Sequence, residues 1–499
     1  MAARQNRAAA ASFVERHGLW SDAQGDAARA VEKAIKRKKL ELVRFSFCDQ
    51  HGTLRGKTLV ASEAARAMRG GVTMTSTLLA KDTSHRTCFS VFGSGGGPVL
   101  PGAETAGNVI MVADPTTFRV LPWAENTGWV LCDLVFPDGA PMPVSTRALY
   151  RDALARLARL GFDYAAGLEV EFHLFKIDDQ MLGTAGLTWQ PEAPAVSHTT
   201  HGFQYLTESR FDQVDPIMQV LRQTVEALGM PLRSMEVELG PSQYELTFAP
   251  ELGMAAADTM VLFRSALKQV ARRHGYLASL MCRPNFPNVL ASGWHLHQSL
   301  VDAASGANLF APATPDEALS RLGQSYLAGL LAQAIPATAF TTPTINGYRR
   351  FRANSLAPDR ATWGRDHRGA MLRVLGGAGD PASRIENRVG EPAANPYLYI
   401  LSQVVAGLAG IDAKMEPPAA DDEPYAAERP RLPKSLTEAL DALDREPLFR
   451  GALGDTFVDY FVKLKRTEAG RYQSALEESG VKPSDEPTAW EQNEYFDFF

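Results

Sequence analysis

Cysteine is scarce: Cys48, Cys88, Cys132 and Cys282 are the only four in 499 residues. They lie far apart and form no CxxC pair, which excludes a disulfide framework and predicts reduced thiols in a cytoplasmic protein. Long apolar runs are missing too. The longest, LAGLLAQAIPATAF at 327–340, is broken by Gln333 and Pro336 and falls short of the ~20 residues that span a bilayer, so no membrane span is predicted. The N-terminal stretch MAARQNRAAAASFVERHGLW has an alanine run but no apolar core of a secretory signal, and is expected to be a ragged or helical cytosolic start. Nor is there an excess of positive charge. With 51 basic against 57 acidic residues the net charge is −6, which argues against nucleic acid or an anionic membrane as partner. The glycine run GSGGGP at 93–98 lacks the GxxxxGK spacing of a phosphate-binding loop and reads as a flexible loop.

What remains is an ordinary globular composition, 45% hydrophobic and 22% charged, in a chain long enough for two or three domains. An amphipathic segment near 26–40 ends in Lys36, Arg37, Lys38 and Lys39, cations that suit the C-terminal end of a helix. The run LVRFSFCDQHGTLRGK then alternates like a strand and turns at Gly52, and strand-like pieces recur at 108–113 and 129–135. Prolines in FPDGAPMPV close this unit, and Ser145 or Thr146 can cap the helix that Leu149, Leu154 and Leu157 begin. The expected division is an N-terminal helical segment at 1–40, a first domain at 41–143 and a second at 144–499. In the second, helices at 147–160, 212–228, 253–274 and 315–335 alternate with strand-like runs at 163–175, 234–248, 294–300 and 383–389, an α+β pattern. The Pro- and acid-rich stretch 417–436 reads as an exposed loop before C-terminal helices.

Four of those strands share one pattern. In GLEVEFHLF (167–175) the apolar Leu168, Val170, Phe172 and Leu174 face one way and Glu169, Glu171 and His173 the other. His295, His297 and Ser299 share a face of ASGWHLHQSL, and Arg384, Glu386 and Arg388 share a face of SRIENRV. The run EVELGPSQYELTF (236–248) presents Glu236 and Glu238, breaks at Gly240-Pro241, and resumes with Gln243, Glu245 and Thr247 on the other parity, so a bulge is expected to bring both halves to one side. One such strand would read as the solvated face of an antiparallel sheet. Four together, almost free of lysine, read as the wall of a metal-lined channel. Clustered carboxylates repel unless divalent cations neutralise them, and oxygen ligands with a single imidazole suit Mg²⁺ or Mn²⁺ better than Zn²⁺. Residues 349–373 add Arg349, Arg350, Arg352, Arg360, Arg365, Arg368 and Arg373, of which about half are expected to be plain surface residues. Bidentate arginines beside acidic metal sites imply polyphosphate chemistry on a carboxylate-bearing substrate.

Taken in order, FCDQHGTLRGK, GLEVEFHLF, ELGPSQYE, SGWHLHQSL, NGYRRF and RIENRVGEPAANPYLYI resemble the glutamine synthetase family, from about Glu41 to the C-terminus. The resemblance implies an N-terminal β-grasp domain, a catalytic α/β half-barrel domain, and a homo-oligomer of stacked rings, a dodecamer, with active sites between subunits. It also implies ATP as co-substrate and two or three Mg²⁺ or Mn²⁺ ions per site. Glu171, Glu238 and Glu245 match the ligands of one metal, with Glu236 the rival of Glu238, and Glu169, His295 and Glu386 match those of the nucleotide-side metal. His297, Ser299, Arg373 and Arg384 match ATP-binding positions, Arg350 and Arg388 those that hold glutamate, and Arg368 the arginine that steadies the transferred phosphoryl group. Asp49 matches the acid that a neighbouring subunit inserts for the ammonium ion, whereas its D-x-x-G spacing alone reads as a turn-forming aspartate. His173 is expected to be a structural neighbour rather than a ligand.

Two departures bear on function. Leu290-Ala291-Ser292-Gly293 stands where the family reads Asn-Gly-Ser-Gly, and the flap reads NSLAP where ammonia-using members carry GYEAP, so Leu356 replaces a catalytic glutamate. Three readings follow. The first is a ligase that joins the γ-carboxylate of glutamate to an organic amine through γ-glutamyl phosphate. An aromatic or bulky apolar amine is expected, because leucine can close a site but cannot accept a proton, and an unpaired ammonium beneath it is costly. The others are an ammonia-using glutamine synthetase and a catalytically silent structural or regulatory member of the fold, against which the retained acids and arginines argue.

Overall fold

Alternating apolar and polar residues build two sheets in a computed structural model that describes residues 11–92, 100, 105–183, 188–482 and 484–499. Residues 1–10 and the expected loop at 93–98 lie outside these. The first sheet takes β1 (Leu42–Cys48), β2 (Leu54–Val60), β3 (Val72–Thr75), β4 (Asn108–Ala113), β5 (Arg119–Val120) and β6 (Thr127–Val135). Its order is β2-β1-β6-β4-β3, with β1 parallel to β6 and antiparallel to β2. Val43, Phe45 and Phe47 bury one face of β1 in a cluster with Ala28 and Val31 of the helix Asp22–Arg37 and with Ala64 and Met68 of the helix Ala61–Gly70. This is a β-grasp arrangement. The first of those helices stops at the basic run, where Lys38 is its C-cap and Lys39 turns to a φ of 50°.

The second sheet takes β7 (Phe162–Asp179), β8 (Ala195–His198), β9 (Leu232–Val237), β10 (Gln243–Phe248), β11 (Glu251–Leu252), β12 (Tyr276–Ser279), β13 (Trp294–Asp302), β14 (Trp363–Arg365), β15 (Leu372–Leu375) and β16 (Arg384–Asn387). The order is β14-β15-β16-β13-β7-β10-β9, and β8, β11 and β12 pair with the remaining length of β7, which runs for 18 residues. Leu168, Val170, Phe172 and Leu174 are buried, as the alternation predicts, on the side where the helices Thr146–Arg159 and Ala255–Arg273 pack. Behind these lies the helix Pro396–Asp412, buried along nearly its whole length. It starts where the Asn395 side chain caps Tyr397 and Pro396 takes the first helical position. It crosses the helix Arg321–Ala332 so closely that a Cβ on Gly329 would lie 2.1 Å from the Ala406 carbonyl, a contact only glycine avoids.

The helix expected at 315–335 is two. Ser320 caps Arg321–Ala332, Gln333 interrupts, and Pro336 falls in the first turn of Ala334–Thr341, where no intrahelical donor is needed. The run 234–248 is not one bulged strand but a hairpin. β9 and β10 pair antiparallel with Glu236 opposite Glu245, and the turn between them contains Gly240, Pro241 and Ser242, the last at a φ of 63°. Proline has no N–H for a ladder, so the chain reverses there, and cross-strand pairing then brings both acids to one side. The stretch 417–436 is a largely exposed loop, but the Tyr425 hydroxyl donates to the Ala357 carbonyl at 3.0 Å, beside the flap. All four cysteines are free, three of them buried. No described helix is long and apolar enough to cross a membrane.

A buried arginine stitches the two sheets together. Arg147 opens the helix Thr146–Arg159 and pairs with Asp114 at 2.9 Å, with Asp133 of β6 at 3.2 Å, and with Asp258 of the helix Ala255–Arg273 at 2.8 Å. Burial acts to raise Asp114, but Arg147 and the Thr116 hydroxyl outweigh it and hold the carboxyl below its ordinary value. Arg147→Met should therefore cost about 3–5 kcal/mol, since it leaves buried acids unpaired. In the wild type the Asp114 contribution is complete above about pH 4 and is lost as pH falls through its depressed folded value. In the variant the Thr116 hydroxyl still opposes burial but the guanidinium is gone, so the Asp114 carboxyl moves up and the variant's stability should rise as the pH is lowered from about 7 to about 5. Denaturant midpoints at the two pH values read both effects. An unchanged midpoint, or a variant that weakens on mild acidification, would rule out this role for Arg147.

Candidate active site

Strand register assembles the polar face. Glu169 of β7 lies opposite His295 of β13 and Thr247 of β10, and Glu171 lies opposite Glu245 of β10. Glu245 lies in turn opposite Glu236 of β9. On the other flank His297 lies opposite Glu386 of β16, and Glu386 opposite Arg373 of β15. Cross-strand partners share a face, so these residues crowd together. Three overlapping groups result, each with its ligand atoms within 4.8 Å of one another: Glu169, His295 and Glu386; Glu171, Glu245 and His295; and Glu236, Glu238 and Glu245. Both rivals, Glu236 and Glu238, thus reach the same group.

The hydrogen bonds fix the imidazoles. Arg350 Nη2 donates to His295 Nε2 at 3.1 Å, so His295 Nδ1 carries the proton and donates to Glu169 at 2.7 Å. Arg384 Nε likewise donates to His297 Nδ1 at 3.0 Å, leaving His297 Nε2 to donate to Glu169 at 2.9 Å. Glu386 accepts from Arg373 at 3.0 Å and from Arg388, and Arg350 Nη1 donates to the Arg388 carbonyl at 2.7 Å. Burial, helped by Arg388, holds His295 down to about 4, so the ring is neutral. Burial acts to raise Glu169 as well, but the donors His295 and His297 outweigh it and keep the carboxyl well below its usual range. The other end of the face is different. Burial first, then the neighbouring carboxylates, pushes Glu171, Glu238 and Glu245 upward. Carboxylates that outnumber their counter-charges, with one imidazole and no thiolate, are a donor set for hard divalent cations.

Several residues outside the expected ligand and binding set support the site. Gly293 N–H donates to Glu171 at 2.9 Å, and a Cβ there would lie 2.4 Å from Arg350 Nη2, so any larger residue at the end of the divergent LASG stretch would displace the Arg350 guanidinium. Gln243, on the same parity as Glu245, donates to Glu171 and to the Ser292 hydroxyl, each at 3.1 Å. Tyr205 was invisible in the sequence because it belongs to no strand. Gln204 N–H donates to the Leu239 carbonyl at 3.2 Å and Leu206 N–H to the Val237 carbonyl at 3.1 Å, which sets Tyr205 opposite Glu238.

Not every expected residue joins the cluster. Ser299 shares the face of His295 and His297 but lies farther along β13, opposite Ala165. Arg368 is exposed at the rim, its charge within reach of Tyr205 and Asp366. Leu356 is 59% exposed at a φ of 59°, and its carbonyl accepts from Arg388 Nη2 at 3.4 Å. His173 is fully buried outside the three groups and is held at about 3 by burial. Asp49 is buried in its own turn, where it accepts from His51 N–H, Thr53 N–H and Arg55 Nε, each at 2.9 Å.

A β-grasp sheet joined to a half-barrel with this acid-lined face is the architecture of glutamine synthetases, and the chain belongs to that family: the profile of the glutamine synthetase catalytic domain matches residues 143–482. Over 494 residues it is 45% identical to a gamma-glutamylanilide synthase from Acinetobacter sp, covering 97% of this chain and 98% of that one. A glutamate–isopropylamine ligase from Pseudomonas sp is 30% identical, with 87% and 93% covered. Among solved structures, GmaS without ligand matches with a TM-score of 0.75 at 27% identity, covering 89% of this chain and 96% of that one.

The repulsion among Glu171, Glu238 and Glu245 makes a testable pair of effects. Glu245→Gln should raise the stability of the metal-free protein yet shrink the stabilisation that Mg²⁺ or Mn²⁺ confers. For the wild type that gain should be about 2.7 kcal/mol at a cation concentration 100 times its Kd. Melting in EDTA and in MnCl₂ reads both. A variant that is weaker without metal and equally stabilised by it would show that no cation links these acids.

Proposed function

We propose that this protein is an ATP-dependent ligase that joins the γ-carboxylate of glutamate to an organic amine, aromatic or bulky and apolar, through γ-glutamyl phosphate. One observation carries the choice of acceptor: Leu356 stands where ammonia-using members have glutamate, on the rim of a face that keeps its acids, imidazoles and arginines. The 45% identity to a gamma-glutamylanilide synthase supports it.

Arg350 and Arg388 hold glutamate; the Nε of Arg388 is buried without a partner among the described residues, a donor suited to a substrate carboxylate. His297, Ser299, Arg373 and Arg384 hold ATP, and Arg368 steadies the transferred phosphoryl group. Glu171, Glu238 and Glu245, with Glu236 beside them, would hold one or two Mg²⁺ or Mn²⁺ ions, and Glu169, His295 and Glu386 another. Such cations, when bound, lower the charge barrier between polyphosphate and carboxylate. A γ-carboxylate oxygen attacks the terminal phosphorus and ADP departs; the amine nitrogen then attacks the acyl carbon, phosphate leaves, and the nitrogen gives up a proton. An arylamine is already neutral at neutral pH and suits a leucine lid, which buries apolar surface and offers no base. An alkylamine needs an acid–base partner. Asp49 from a neighbouring subunit would serve once freed from its own turn, in a cytoplasmic dodecamer of stacked rings whose chains divide into domains near residue 143.

Phosphate release and amide formation with ammonia, isopropylamine, benzylamine and aniline test the reading. Amide should form faster from at least one organic amine than from ammonia, and Leu356→Glu should move the preference toward ammonia. Faster glutamine formation from ammonia than any amide from the other three would make it a glutamine synthetase. Arg368→Lys keeps the charge but loses the planar fork, and should cut turnover by on the order of 10²-fold with little change in ATP affinity. Loss of ATP affinity at full turnover would make Arg368 a simple binding residue.

A further inference from the structure

The 3-10 turn Asn346–Arg350 carries Arg350 into the site, and the flap follows directly. Successive residues of such a turn point about 120° apart, so Arg349 and Arg350 leave on different sides. Arg350 goes inward to His295 and the Arg388 carbonyl. Arg349 goes outward to a strap from the C-terminal region, whose centre is Glu491 in the helix Ala489–Tyr495. Glu491 is fully buried. Its carboxylate accepts from Asn346 Nδ2 at 3.1 Å, from Arg349 Nε and Nη2 at 3.1 Å each, and from the Tyr472 hydroxyl at 3.4 Å. Thr488 adds its N–H at 2.8 Å and its hydroxyl at 3.0 Å. A capping glutamate needs only the Thr488 bonds. The guanidinium and the Asn346 amide are additional, and they tie the cap to a turn 142 residues away along the chain. On either side Ile345 N–H donates to the Tyr495 hydroxyl at 3.4 Å, and Glu486 pairs with Arg352 at 3.6 Å and with Arg283 at 2.5 Å.

We infer that Glu491 is a positioning residue: by fixing Asn346 and Arg349 it sets where Arg350 meets the substrate carboxylate. The inference rests on the proposed role of Arg350 in holding glutamate. Replacing the carboxylate by an amide keeps its volume but turns an NH₂ toward guanidinium and N–H donors, which releases the turn. Small displacements of a positioning group are costly, so Glu491→Gln should weaken glutamate binding roughly 10- to 100-fold, while ATP affinity changes less than about twofold. Glu491→Asp, which keeps the charge, should recover part of the loss. Calorimetric titration of glutamate and of a non-hydrolysable ATP analogue with Mg²⁺, alongside the two KM values, reads the split. Should Glu491→Gln fail to fold, Arg349→Lys breaks the same bidentate pair from the other end and should show the same split. A folded variant of either kind that binds glutamate like the wild type, or that loses glutamate and nucleotide equally, overturns the inference. Wild-type protein that binds glutamate but forms no amide from any amine would defeat the ligase reading alone, and the binding measurement would still decide the role of Glu491.

Discussion

The register of β7 is the constraint on which the rest depends. Its side chains alternate strictly, so Leu168, Val170, Phe172 and Leu174 can enter the core only if Glu169 and Glu171 leave it. A slip of one residue against β10 or β13 would bury two acids and expose the apolar set. The hydrophobic core therefore holds the polar site in register from the opposite face of the strand. The same pairing puts Glu245, His295 and, one strand further out, Glu386 beside the acids of β7.

That arrangement runs against stability. Raised carboxylates at one end of the face and packed arginines at the other are charges the fold would not gather for its own sake. The two ends are managed differently. Around Glu169 and Glu386, imidazoles and arginines supply donors, so those carboxylates stay ionised. Around Glu245 no arginine pairs with the acids among the described residues, and a divalent cation, when bound, would supply the counter-charge. Stability is supplied elsewhere, by the buried helix Pro396–Asp412 and by the Arg147 clamp between the sheets.

The loops need a second form of support. Arg350 lies on a short turn and Leu356 on an exposed flap at positive φ, neither of which has a sheet ladder to hold it. Tyr425 holds the far end of the flap through the Ala357 carbonyl, while the strap around Glu491 holds its near end. A catalytic loop placed between two anchors can move in the middle without losing its arginine.

What the sequence determined by itself was local and chemical. Period-two alternation named the buried and the polar faces of β7, β13 and β16, and the residue types on those faces named the chemistry. Leu356 in the flap was equally plain, because a substitution at a marked position needs no geometry to be seen. Tertiary structure decided which strands are neighbours. It made 234–248 a hairpin, because Pro241 cannot donate to a ladder, and so brought Glu236 opposite Glu245. It placed Tyr205 against Glu238 and joined Glu491 to Arg349, whereas Asp49 sits in the local turn that its D-x-x-G spacing describes. The pairings between separate segments were not legible in advance, because alternation is written in adjacent residues, whereas which segments meet, 142 positions apart for Arg349 and Glu491, is fixed only when the whole core closes.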